Sequence, residues 1–298
     1  MEQKKTSISI LIPVYNTACI DFVSQLQKMA AKSLLTYEII VVDDASTDED
    51  CLAKNQQLSQ VPNCLYIIKK VNTGSAATRN FLARQSRFPW LLFLDCDMQL
   101  TDANFLERYL TPLPSQVING GVSIGGDPSV LGSNLRYCYE KAEEPHHTAA
   151  MRQKQPYKSF RSTNFLISRE VMLNCPFDER FQHSGYEDVL FGKQLKLHHI
   201  SVTHIDNPVL MTDYEDNVSY LQKVERSLHT LHQHRQELKG YSRLLTLTEG
   251  IHLKIVRKSI CLIYRFLGAS MRRNLCGRHP SQNLFKLYRL SYYLSIKN

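Results

Sequence analysis

The sequence predicts an α/β fold, with a mainly parallel central sheet flanked by helices and a basic, mostly helical C-terminal region. Three observations predict it. Four short apolar runs, ISILIPVY (8–15), YEIIVVDD (37–44), LYIIKK (65–70) and WLLFLD (90–95), alternate with stretches of helical spacing. Strands buried on both faces and separated by helices at this interval make βαβ units. Carboxylates close the second and fourth runs, as Asp43-Asp44 and Asp95-Cys96-Asp97, and ligands of parallel sheets gather at the carboxyl ends of strands. Charge divides the chain: residues 221–298 hold 15 Lys+Arg against 3 Asp+Glu, leaving 21 against 25 in residues 1–220.

Each element follows from its own stretch. After the first strand, residues 20–34 repeat Phe22, Leu26, Met29 and Ala30 at helical spacing. After the second, Ser46 or Thr47 is placed to cap a helix, with Asp48, Glu49 and Asp50 favourable in its first turn. Gly74 precedes the helix SAATRNFLARQS, which leads to the fourth strand. Beyond residue 112 the rhythm loosens. VINGGVSIGGDPSVLG reads as a strand punctuated by glycine, and 134–157 as a helix followed by a mobile segment. FRSTNFLIS (160–168) reads as a strand, YEDVLFGKQLKL (186–197) as a helix and ISVTHIDNPVLM (200–211) as a strand. From about 216 the chain reads helical, with a break at Gly277, His279 and Pro280. The expected division is a catalytic domain over residues 1–215 and a basic helical region over 216–298.

Composition narrows the function classes. A chain of 298 residues, 43% hydrophobic and 21% charged with net charge +8, builds its own core without disulfides. The eight cysteines include no CxxC pair, so neither a zinc site nor a redox pair is signalled, and a reducing compartment is expected. ISILIPV is too short for a signal peptide, and no run reaches the roughly 18 apolar residues of a membrane span. The expected location is the cytoplasm. A nicotinamide-binding enzyme or a nucleotidyltransferase wants a glycine-rich turn after the first strand; here the turn is PVYNTAC.

The acidic strand ends carry the chemistry. Two carboxylates in Asp95-Cys96-Asp97 repel unless a cation or strong donors compensate. A hard divalent ion, Mn²⁺ or Mg²⁺, supplies that charge and grips diphosphate oxygens. The alternative is two surface aspartates in a turn. Asp43 and Asp44 suit a nucleobase N–H or a ribose hydroxyl, or cap the next helix. Arg79 either braces the acidic site or touches phosphate. Glu187-Asp188 stands near a helix N-terminus, where acids serve the dipole or act as a general base on an acceptor hydroxyl.

With these pieces in order, the chain resembles the family 2 glycosyltransferases of GT-A fold, a Rossmann-like architecture, in their bacterial form. The matching segments are ISILIPVYN, YEIIVVDDASTD, NTGSAATRN, WLLFLDCDM and FDERFQHSGYEDVLFGKQL, in the family's order over roughly residues 7–211. The resemblance implies inverting transfer from a nucleotide sugar, most commonly a UDP-sugar, to a saccharide or lipid-linked acceptor in cell-surface glycan synthesis. It implies Asp188 as catalytic base with Glu187 beside it. It implies donor binding by Pro13, Tyr15, Asn16, Asp43, Asp44, Asn72, Gly74, Arg79, Asp95 and Cys96. Asn164 and Phe177-Asp178-Glu179 match acceptor-side structure. Asp97 and Asp95 match the metal motif, with Asp97 carrying most of the hold. One departure is Met211, which stands where similar sequences place a histidine; His204, upstream, is the remaining histidine candidate for the metal shell.

The basic end interleaves cations with apolar groups in IHLKIVRKSICLIYRFLGASMRR. A helix there gathers Ile251, Ile255, Ser259, Leu262, Ile263, Phe266 and Leu267 on one face, flanked by Lys254, Arg257, Lys258 and Arg265. This suits an anionic membrane surface, placing the protein peripherally on the inner face of the cytoplasmic membrane. The bland alternative is a helical subdomain with solvated cations. The tail has no RNA-binding motif, so no nucleic-acid partner is expected. The rival reading of the whole chain is a non-catalytic, membrane-attached subunit that holds a nucleotide sugar.

Overall fold

The computed structural model describes residues 6–33, 35–111, 113–182 and 185–296. The first part of the chain alternates as expected: β1 (Ser7–Val14), α1 (Ile20–Lys32), β2 (Thr36–Asp43), α2 (Glu49–Asn55), β3 (Cys64–Ile68), α3 (Gly74–Gln85) and β4 (Trp90–Leu94). Position 34, the end of the expected first helix, lies outside the described residues. The cap of α2 is neither Ser46 nor Thr47: the Asp48 carboxylate accepts the Cys51 amide, and Ser46 instead spends its amide on Asp43.

The middle of the chain is more finely divided than its sequence reads. It comprises β5 (Met98–Gln99), α4 (Phe105–Leu110), β6 (Val117–Asn119), β7 (Val122–Ile124), α5 (Pro128–Leu131), α6 (Leu135–Glu143), α7 (Ala149–Gln153), β8 (Asn164–Ser168), α8 (Arg169–Asn174), α9 (Glu187–Leu197), β9 (Val202–His204) and β10 (Val209–Met211). The glycine-punctuated run is two strands that part at Gly120-Gly121, and 200–211 is likewise two strands. In both cases one strand joins the large sheet and the other a small one. The segment expected to be mobile is instead anchored. Arg152 of α7 is buried and donates to the Asn119 side chain, to the Gly120 and Ile205 carbonyls and to the His147 carbonyl. With no carboxylate among these acceptors, burial lowers its guanidinium pKa from the ordinary value.

Seven strands form the main sheet in the order β3-β2-β1-β4-β8-β6-β9, and β5-β10-β7 form the second. β1 pairs in parallel with β2 and β4, and β2 with β3. Within the main sheet, among the described residues, only β8 runs against its neighbours β4 and β6. Side chains alternate across the sheet. Ile8, Ile10 and Ile12 join Phe22 and Leu26 of α1 on one face, while Leu11, Ile40, Val42 and Phe93 join Leu82 of α3 and Phe191 of α9 on the other. Because β3 follows β2 outward and β4 returns to the far side of β1, the strand order reverses between β1 and β4. A crevice opens outside the carboxyl ends at such a reversal.

The remainder is helical: α10 (Asn217–Gln233), α11 (Arg243–Glu249), α12 (Lys254–Leu275) and α13 (Gln282–Ser295), with the expected break between the last two. Two apolar clusters bind these helices to the sheet-bearing part. Phe181 and Leu190 meet Leu228, Leu231 and Leu294 in one. Leu135 meets Leu221, Met271 and Phe285 in the other. Among the described residues no helix is long and apolar enough to cross a membrane. All eight cysteines are free.

Candidate active site

A cleft of about 740 Å³ opens at the strand reversal. β1 ends in Pro13 and Tyr15 on one wall, and the turn after β4 presents Asp95, Cys96 and Asp97. Asp44, just past β2, and Asn72 and Gly74, at the start of α3, line it as well. Arg79 reaches it from one turn into α3, and Glu187 and Asp188 from the first turn of α9. Eleven residues singled out from the sequence thus share one concavity.

Asp44 caps a helix, but α3 rather than the α2 that follows it in sequence. Its carboxylate accepts the Thr73 amide at 3.0 Å and the Gly74 amide at 2.8 Å, and pairs with Lys69 Nζ at 2.6 Å. Burial alone raises this carboxyl; the ammonium and the two amides outweigh it and hold the pKa below the ordinary value. Gly74 has φ +86°, and a Cβ there would lie 2.3 Å from the Gln182 carbonyl oxygen. Only glycine lets the α3 N-terminus approach the loop before α9 so closely.

Arg79 braces the acidic turn. Its Nη2 donates to Asp95 Oδ1 at 2.6 Å, its guanidinium lies over the Phe177 ring at 5.8 Å, and it is only 4% exposed. Its Nε and Nη1 have no hydrogen-bond partner among the described residues. Asp95 is therefore half committed, whereas Asp97 opens to the cleft. The surrounding protein mass, and after it the Asp95 charge, push the Asp97 carboxyl up to about 6. Burial likewise pushes the Cys96 thiol well above its ordinary value, so it stays neutral.

Glu187 and Asp188 have different surroundings. Glu187 accepts the Ser75 hydroxyl at 2.9 Å and the Gly185 amide at 2.7 Å. Among the described residues Asp188 accepts only the amide of Val189, at 2.7 Å. Burial first, and the Glu187 charge second, push its carboxyl up to about 7. A carboxyl with that value and one oxygen uncommitted is suited to take a proton near neutral pH. His183 and Ser184, inside the matching segment FQHSGYED, lie outside the described residues.

Other expected residues are placed elsewhere. Asp43 is fully buried beneath the cleft, with its oxygens on the Ser46 amide and the Tyr66 hydroxyl. Asn16 is not on the cleft wall; its Oδ1 accepts the Thr47 and Asp48 amides and ties β1 to the start of α2. His204 stands on β9, away from the cleft, with Nε2 2.8 Å from the Pro156 carbonyl and Nδ1 3.1 Å from Arg152. Burial pushes its pKa down to about 4, and it offers no free nitrogen to an ion. Met211 is packed in the core. Asn164 is buried, accepting from Tyr109 and donating to the Gly121 and Asn207 carbonyls. Phe177 and Glu179 are gripped by Asn80. These last contacts hold the scaffold rather than face the cleft.

The residues present fit a metal shared with a ligand, not a protein-only cage. Among the described residues no group of three or more His, Cys, Asp or Glu gathers to hold an ion. Two carboxylates spaced as Asp95 and Asp97 suit Mg²⁺ or Mn²⁺, which take the rest of their shell from phosphate and water.

Several lining residues escape the sequence patterns. Ser75 and Thr78 come from α3, Ser162 and Thr163 from the segment before β8, and Lys223 and Arg226 from α10. The last two lie beyond residue 215, and their only sequence signal is the surplus of positive charge there.

The fold is α/β with GT-A architecture, and the cleft lies at its strand reversal. The family model described as Glycosyl transferase family 2 matches residues 9–175, and the chain belongs to that family. It is similar to chondroitin synthase of Pasteurella multocida strain Pm70, with 26% identity over 224 residues, 64% of this chain and 23% of that one. An uncharacterised glycosyltransferase of Escherichia coli K12, YibD, is 21% identical over 248 residues, 82% of this chain and 66% of its own. The chain thus spans a quarter to two thirds of these relatives. In fold it is similar to the mannosyltransferase PcManGT of Pyrobaculum calidifontis, solved in complex with GDP-Man and Mn²⁺. The TM-score is 0.58 at 12% identity, over 96% of this chain and 84% of that one.

Proposed function

We propose that this protein is an inverting glycosyltransferase that moves a sugar from a nucleotide-sugar donor, a UDP-sugar, to a saccharide or lipid-linked saccharide in cell-surface glycan synthesis. The observation that carries the reading is the pair of unequal carboxylates in one cleft: Asp97, open and in need of a cation, and Asp188, desolvated with a pKa of about 7. Environments that push two acids into different tasks mark acid–base sites. The names of relatives add weight: chondroitin synthase and, at 34% identity over 106 residues, a poly(ribitol-phosphate) beta-glucosyltransferase of Bacillus spizizenii.

In this proposal Tyr15 and Asp44 border the nucleoside, and Asp95 and Asp97 hold Mn²⁺ or Mg²⁺ against the diphosphate. The ion supplies Lewis-acid stabilisation of charge on the departing nucleoside diphosphate. Arg79 keeps Asp95 aligned. Asp188 accepts the proton of an acceptor hydroxyl as its oxygen attacks the anomeric carbon from the face opposite the leaving group. Glu187, fixed by Ser75 and Gly185, positions that encounter.

Replacing Asp188 by Asn removes the proton acceptor at nearly constant shape. Transfer should fall by about a hundredfold or more, while donor binding by calorimetry stays near wild type. Undiminished transfer in Asp188→Asn sinks the role. Wild-type protein that binds donor yet neither transfers nor hydrolyses it with Mn²⁺ supports the non-catalytic subunit instead.

Peripheral attachment at the cytoplasmic face of the membrane belongs to the same proposal. α12 carries no acidic residue, and it keeps Ile255 and Phe266 at 78% and 74% exposure, with Leu262 between them. Lys254, Lys258 and Arg265 run alongside, on the pattern of an interfacial helix.

A further inference from the structure

The cleft holds more negative charge than its own cations balance. Asp44 is answered by Lys69 and Asp95 by Arg79. Asp97, Glu187 and Asp188 have no ion-pair partner among the described residues, and the donor assigned to this cleft brings a diphosphate. A single ion between two carboxylates cannot neutralise all of this, and among the described residues no third ligand completes its shell.

α10 supplies what is missing. Lys223 and Arg226 are one turn apart on the helix face turned to the cleft, and both line it. Beside them Glu215 is already held by Arg136, with Lys223 a further 3.4 Å partner, so the local balance stays positive. Arg226 makes no ion pair among the described residues. Its neighbour Ser227 packs where a Cβ on Gly185 would stand, 2.7 Å away, and Gly185 has φ +126°. That contact fixes α10 against the loop that delivers Glu187. The helix that carries the two cations is therefore packed against that loop.

We infer that Lys223 and Arg226 bind the donor's diphosphate directly from α10, giving this enzyme a metal-independent share of nucleotide affinity and leaving-group stabilisation. The inference rests on the donor-binding role proposed for the cleft. Cationic groups aimed at a developing phosphate charge act during departure of the leaving group as well as in binding.

The test is calorimetric titration of the full chain with UDP, GDP, ADP and CDP, in Mn²⁺ and in EDTA. Wild-type protein should bind one nucleoside diphosphate in both. Lys223→Ala/Arg226→Ala should weaken binding in EDTA by about tenfold or more, as expected for two lost charge-assisted contacts, and make the remaining affinity more dependent on Mn²⁺. Lys223→Arg/Arg226→Lys should retain most of it. Both positions are exposed on α10, and an unchanged melting temperature shows that the fold is kept. Equal affinity of wild type and the double alanine variant in EDTA overturns the inference, as does wild-type binding that vanishes entirely in EDTA. Absence of binding to any of the four with Mn²⁺ overturns the donor-binding reading, and this inference with it.

Discussion

Asp188 and Asp43 show how environment assigns a task to an aspartate. Asp43 sits on a strand end and is sealed under it by Tyr66 and the Ser46 amide. Asp188 is desolvated beside Glu187 and reaches a pKa of about 7. A base must be ionised to accept a proton, so activity should be lost as pH falls through about 7 and level off above it. Below the midpoint kcat should drop about tenfold per pH unit. A profile measured from roughly pH 5.5 to 9 that stays flat through 7 would exclude Asp188 as the titrating base. At this scale the sequence identifies the acidic pairs but not their members' roles. Which of Asp43 and Asp44 meets the cleft depends on the pleat and on a helix that starts thirty residues later. Likewise, whether His204 reaches a metal depends on Arg152 and Pro156, which no motif couples to it.

At the scale of elements, the four parallel strands and their helices are legible because continuous apolar runs and helical spacing are local signals. The boundaries fail where the partner is distant. The single run 200–211 becomes β9 and β10 because Asn119 draws the first into the large sheet and Val122–Ile124 draws the second into the small one. Arg152 is invisible as an anchor for the same reason: its acceptors come from three separate segments. The close approach of α3 to the loop before α9 is an element-scale feature with a sharp expectation. Gly74→Ala places a Cβ 2.3 Å from a backbone carbonyl and demands a positive φ. It should cost on the order of 2–3 kcal/mol by denaturant titration and lower kcat by displacing Ser75 from Glu187. A variant of wild-type stability and activity would mean that the two elements do not have to meet.

At the scale of the molecule, the helices after residue 215 are both packed and exposed. Met271 and Leu275 of α12 join the cluster with Leu135, while Ile255, Leu262 and Phe266 face outward on the cationic flank. The sequence reading put these apolar residues on one face with Ile251, Ile263 and Leu267; in the structure Ile251 precedes the helix and packs with the Phe181 cluster, Ile263 turns toward the packed side, and Ile255, Leu262, Phe266 and Leu267 stay out. The proposed membrane contact therefore does not compete with folding. Wild-type protein should sediment with phosphatidylglycerol vesicles at low salt and remain in solution with phosphatidylcholine alone. Leu262→Ser/Phe266→Ser should release it without loss of soluble transfer activity. Retention of the double variant on vesicles would place the contact elsewhere.

The seating of Ser227 against Gly185 also bears on how this chain can be recombined. Residue 215 is where composition changes, and it looks like a natural seam for exchanging acceptor or donor modules between relatives. A hybrid joined there would bring a foreign α10 against the native loop, replacing the two cations and the serine that the glycine was shaped to receive. A junction beyond Gln233 keeps the native loop and helix as one inherited unit, and hybrids built with that seam should retain nucleotide binding where those joined at 215 lose it.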